Sequence, residues 1–182
     1  MKSIATMFSV FSALVLIMTS ALAIAQGLTE ADIKAAQKAW GDALVAIAVA
    51  YDTEGEDSAR ELAIEAVERY YNHGNGAVLF KPTLAAEPQR FRTTREGAIA
   101  YFVGGDPNFP DDNGFALEGW REVDVTNAAI FIDGNIGMSM GDVTITDADG
   151  KSVSVDKTWG FQKLENGEVV IVLHHSSLPF TR

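Results

Sequence analysis

The sequence predicts an α+β fold in which a curved antiparallel sheet wraps around a long N-terminal helix, with two shorter helices beside it. Two observations carry this. In the first half of the chain, apolar residues recur every three or four positions, the spacing of one helix face. In the second half, Asp133-Gly134, Asp149-Gly150 and Asn166-Gly167 recur at nearly even intervals between strand-like runs, as the turns of a hairpin meander do.

Before the fold comes an export signal. Lys2 precedes an apolar run over 7–23 that ends in Ala23-Ile24-Ala25, the small-x-small pattern that a signal peptidase cuts after. Residues 1–25 are expected to be removed and one domain, 26–182, to act in the periplasm or outside the cell. No later stretch approaches the roughly 20 apolar residues of a membrane span, so no membrane attachment is expected after cleavage. The chain carries 25 acidic residues against 14 basic ones, a net charge of −11. Such a surface repels nucleic acid and anionic membranes, which excludes both as partners. With no cysteine, disulfides, thiol nucleophiles and thiolate metal sites are ruled out.

The elements follow in order. Thr29, with Asp32 three residues on, predicts a capped start for a helix whose face is Ile33, Ala36, Trp40, Leu44, Ile47 and Tyr51. Ser58 and Glu61 read as a capping box for a second helix, which Gly74-Asn75-Gly76 stops. A short β-prone run over 77–81 ends at Pro82. Thr93 to Glu96 reads as a third box, opening a short helix that closes at Gly104-Gly105. Four long strands are expected over 115–132, 135–147, 151–164 and 169–178. Within 135–147 the apolar parity switches around Gly141, which predicts a bulge in that strand and a strongly curved sheet. The three helices then fill the concave side.

The final strand, Val169 to Leu178, is apolar at both parities until His174-His175-Ser176-Ser177. A strand buried on both faces needs cover on both, so a homodimer through the outer sheet face is expected. Adjacent residues on a strand point to opposite faces, so the two histidines cannot share one metal without a bulge. No ligand spacing accompanies them, and no metal or other cofactor is expected. His174 is placed inward because Ser176 adds a second polar group on its parity. Either His174 or His175 would serve as acid or base if the chain is an enzyme, since histidine titrates near neutrality. Lys81, alone on its short strand, and Arg92, which shares a face with Arg90, are candidate contacts for an anion. Trp40, Tyr51 and Tyr101 are candidate pocket walls, while Lys157 is expected near the rim.

The ending His174-His175-Ser176-Ser177-Leu178-Pro179, the Trp159-Gly160-Phe161 strand before it, and the runs from Val78 to Thr83 and from Tyr101 to Asp106 resemble the nuclear transport factor 2-like superfamily. Within it the chain is most similar to the exported bacterial SnoaL-like group related to the calmodulin-dependent kinase II association domain. The resemblance implies a cone-shaped α+β barrel with a pocket open at one end and dimerisation through the outer sheet. It also implies three functions. The first is a periplasmic binding protein for a small polar or anionic molecule. The second is an isomerase, dehydratase or cyclase using a pocket histidine, and the third a dimeric scaffold.

Overall fold

The structure, a computed structural model, describes residues 27–181; the expected signal at 1–25 lies outside the described residues. Helix α1 (Glu30–Glu54) begins where the sequence predicts. The Thr29 hydroxyl accepts from Asp32 N–H at 3.1 Å, and the Asp32 carboxylate accepts from Thr29 N–H at 2.9 Å. Two of the helix's orphan donors are satisfied in this way. Ile33, Trp40, Leu44 and Ile47 are buried along one stripe, but Tyr51, predicted on that stripe, is exposed at the helix end.

Helix α2 (Glu56–Tyr70) starts earlier than expected. Gly55, at φ 99°, makes the break, so Ser58 lies inside the helix and donates to Glu54 at 2.7 Å instead of capping. Helix α3 (Arg95–Val103) is capped by Thr94, which accepts from Gly97 N–H at 3.1 Å. The cap is thus one residue later than the predicted box.

The sheet consists of β1 (Leu79–Lys81), β2 (Trp120–Asp133), β3 (Ile136–Asp147), β4 (Ser152–Lys163) and β5 (Val169–Ser177), in the order β1-β5-β4-β3-β2. The predicted meander is β2 to β5, all antiparallel, while β1 joins the edge parallel to β5. Residues Phe115–Leu117, expected to open the first long strand, form a single 3-10 turn. In all three hairpins only Gly134, Gly150 and Gly167 take positive φ. The Asp or Asn before each does not, so these are not turns with two left-handed residues.

The bulges differ from expectation in place and not in effect. Gly137, Ser139, Val143 and Ile145 all face inward along β3, while Met138 and Met140 face outward. There is therefore no parity switch in β3. The extra residues lie on β2: Arg121, between Trp120 opposite Asp147 and Glu122 opposite Thr146, and Ala128, where Asn127 pairs with Gly141 and Ala129 with Met140. Glycine at 141 is what lets the bulged strand approach: a Cβ there would sit 2.0 Å from the Thr126 carbonyl oxygen. A further bulge leaves Val172 of β5 unpaired, between Leu173 opposite Gly160 and Ile171 opposite Phe161. That extra residue puts Ile171 on the same buried side as His174, against the simple alternation.

Bulges increase bend and twist, and the sheet curls around α1 as a cone that does not close. One polar clamp ties helix to sheet. Gln37 donates to Asn127 Oδ1 and Ser139 Oγ, both at 2.9 Å, and accepts from Asn127 Nδ2 at 2.8 Å. Gln37 and Ser139 are buried, so pairing offsets their desolvation. No helix among the described residues is long and apolar enough to cross a membrane.

Candidate active site

Between α1, α3 and the concave face of the sheet lies a cavity of about 330 Å³. Trp40, Phe80, Tyr101, Phe102, Phe115 and Trp120 supply aromatic wall, and Ile145, Val153 and Val155 supply aliphatic wall. The polar groups on the wall include Thr83, Lys157, His174 and Ser176. Glu118 and Lys151 mark the solvent-exposed end. Partial burial holds the Glu118 carboxyl above the usual carboxylate range.

A buried hydrogen-bonded chain ends at this cavity. Trp40 Nε1–H donates to Tyr71 Oη at 2.9 Å, Tyr71 Oη lies 2.8 Å from His174 Nδ1, and His174 Nε2 lies 2.7 Å from Lys157 Nζ. Phe80 stacks on the imidazole at 4.5 Å between centroids, and the Trp40 ring meets it edge-on at 5.4 Å. These contacts fix the plane of the ring.

Proton bookkeeping assigns the states. Indole is only a donor, so the Tyr71 oxygen accepts from Trp40. The single Tyr71 hydrogen then has His174 Nδ1 as its acceptor among the described residues. A neutral imidazole accepting at Nδ1 carries its hydrogen on Nε2, so Nε2–H donates to Lys157 Nζ. Nζ must supply a lone pair, which makes Lys157 a free amine. The reverse tautomer would strand the buried Tyr71 hydrogen.

Electrostatics favours the same assignment. Burial lowers the Lys157 ammonium to about 7 from the ordinary 10.5. Burial first, and then the closeness of Lys157 and His175 to any charge on the ring, holds His174 well below its ordinary value. Burial also raises the Tyr71 and Tyr101 phenols, so both stay protonated. No carboxylate pairs with Lys157 among the described residues.

The sequence-predicted residues divide. Trp40, Tyr101, His174 and Ser176 line the cavity. His175 is exposed on the outer face of the sheet. Lys81 lies off the cavity wall, with Nζ donating to the Ser176 carbonyl at 3.1 Å. Arg92 is buried elsewhere in a bidentate pair with Asp112, at 3.1 and 2.8 Å, and over the Phe109 ring. Tyr51 is exposed and does not reach the wall. Lys157, expected near the rim, is only 5% exposed. Tyr71 and Thr83 were not singled out by the sequence. The parallel bridge from Tyr71 to Ile171 joins distant segments and has no local signal.

A model of the family described as metal-independent carbonic anhydrase matches residues 31–178. The chain belongs to that family. A metal-independent carbonic anhydrase from Nostoc sp. (strain PCC 7120 / SAG 25.82 / UTEX 2576) is 56% identical over 155 residues, covering 85% of this chain and 76% of that one. The crystal structure of an iota-carbonic anhydrase from a cyanobacterium, complexed with bicarbonate, superposes with a TM-score of 0.85. It is 55% identical, with 86% of this chain and 95% of that one covered.

A calmodulin-dependent kinase II association domain from Xanthomonas campestris shares the fold. Its TM-score is 0.54 at 21% identity, covering 85% of this chain and 94% of that one. The metal-independent carbonic anhydrase family therefore sits on the nuclear transport factor 2-like architecture that the sequence resembles. Among the described residues of this member, no group of three or more His, Cys, Asp or Glu side chains could hold a metal ion.

Proposed function

We propose that this chain catalyses the reversible hydration of carbon dioxide to bicarbonate outside the cytoplasm. The observation that carries the reading is the free amine of Lys157 on the wall of an aromatic cavity where hydroxyl groups also gather. Carbon dioxide is apolar and suits the aromatic wall. Bicarbonate is an anion and needs donors, and the same cavity supplies both. The family match and the 55% identical relative bound to bicarbonate support this choice over other small substrates.

The residues divide the work. Lys157 takes a proton from the attacking water, with a pKa near neutrality that suits a general base. His174, held by Tyr71, caps the amine lone pair at rest with its Nε2–H, and the amine turns that lone pair from His174 to the water as it takes the proton. Thr83 Oγ1 donates to Ser176 Oγ at 2.8 Å, which leaves the Ser176 hydrogen free for a substrate oxygen. Tyr101 lines the same cavity, and burial keeps its phenol protonated, so it offers a second hydroxyl donor to a substrate oxygen. These donors stabilise the negative charge that develops on oxygen as the C–O bond forms. Isotope exchange between carbon dioxide and labelled water, with a strong chelator present, tests the reading. Catalysed exchange that rises through about pH 7 is the expected result, and exchange no faster than buffer sinks it.

Export and assembly belong to the same proposal. The signal pattern at 1–25 supports a periplasmic or secreted mature chain beginning at Gln26. Phe131, Ile136, Met138, Met140 and Leu79 are exposed apolar residues, and the first four lie on the β2–β3 hairpin. An apolar outer face of this kind supports a homodimer. Protein recovered from the exported fraction should start at Gln26 and sediment as a dimer. A retained leader or a monomer at high concentration counts against the corresponding part.

A further inference from the structure

We propose that Lys157 is also a modification site, at which the amine adds carbon dioxide to give a carbamate that reversibly blocks the pocket. The inference rests on the reading above in one respect: carbon dioxide must enter this cavity. An amine reacts with carbon dioxide only as the free base, and surface lysines near neutral pH are almost wholly ammonium. Lys34 and Lys38 are such lysines, exposed and paired with Glu30 and Asp42. Lys157 is their opposite. It is 5% exposed, lies over the Trp40 and Trp159 rings at 4.7 and 5.4 Å, and has its lone pair directed at the His174 N–H.

The step balances without a co-reactant. The Nζ lone pair forms the N–C bond, one C=O π pair moves onto oxygen, and one Nζ hydrogen leaves as a proton to water in the cavity. Nothing is oxidised or reduced. Once the lone pair is committed to carbon, the His174 Nε2–H that held it is free to donate to a carbamate oxygen. The product is an anion with no cation beside it, so it reverts when carbon dioxide falls. While it lasts, Lys157 cannot take the proton from water, and hydration is slowed by its own substrate.

Trapping tests this directly on the native full-length chain. The protein is equilibrated with ¹³C-labelled carbon dioxide at mildly alkaline pH, alkylated with a trialkyloxonium salt, digested and weighed. The expected result is an isotope-shifted alkyl carbamate on the Lys157 peptide, absent from the peptides of Lys34 and Lys38 and lost in Lys157→Arg. A chain that catalyses hydration yet carries no label at Lys157 overturns the carbamate and leaves the hydration reading standing. A chain that carries the label but does not hydrate carbon dioxide supports the carbamate and removes the hydration reading.

Discussion

Lys157→Met is expected to lower carbon dioxide hydration by about 10²–10⁴-fold, the usual worth of a positioned general base. It should also flatten the rise in rate through about pH 7. Methionine is unbranched and of similar length, so it can fill the slot between Trp40 and Trp159 without a cavity. A stability measurement separates chemistry from folding. Between about pH 7 and 10.5 the unfolded chain holds a proton on residue 157 that the folded chain lacks. Stability of the native protein therefore rises with pH across that window, by at most about 1.4 kcal/mol per pH unit. Below about pH 7 both states are protonated at Lys157 and its slope disappears.

His174 acts in a different window. Its folded value is depressed, so only the unfolded chain gains its proton as pH falls below 6.5. Stability then falls further on the acid side. Lys157→Met should lose the alkaline slope and keep the acid one. Chemical denaturation across pH reads both, and a variant that keeps the alkaline slope, or full activity, defeats the assignment of Lys157 as a free amine.

Asp112→Ala is expected to cost about 3–5 kcal/mol of stability, the usual result of stranding one member of a buried ion pair. Arg92 and Asp112 side chains are 3% and 5% exposed, with two hydrogen bonds between them. Removing the carboxylate leaves a guanidinium buried against Phe109 with no counter-charge. The double variant Asp112→Ala/Arg92→Met should recover part of the loss, because it removes the stranded charge. Denaturant unfolding at fixed pH checks both. A loss under about 1 kcal/mol would place the pair with exposed ones. Neither residue lines the cavity, so hydration by the folded fraction should persist.

The fate of Arg92 shows where sequence reading stops. Two arginines flanking Phe91 advertise a cation, but its partner lies 20 residues away, beyond helix α3, and no local pattern encodes that meeting. Lys81 shows the same limit through pairing. Its neighbour Phe80 pairs with His174 and packs inward, so alternation turns Lys81 away from the cavity. The parallel register that decides this joins segments some ninety positions apart. Tyr71 and Thr83 were invisible for the same reason, since their roles exist only against His174 and Ser176.

What the sequence by itself determined is what local chemistry controls. The Thr29 cap, the apolar stripe of α1, the glycine turns and the polar His174 and Ser176 on one parity are all written within a few residues of where they act. The tertiary structure alone decided the state of Lys157. Alternation along β4 places its side chain on the inner face, but depth is set by Trp40 arriving from α1 and His174 from β5. An amine loses its proton when burial strips away most of its water, and that burial is a property of the assembled layers, not of any one segment.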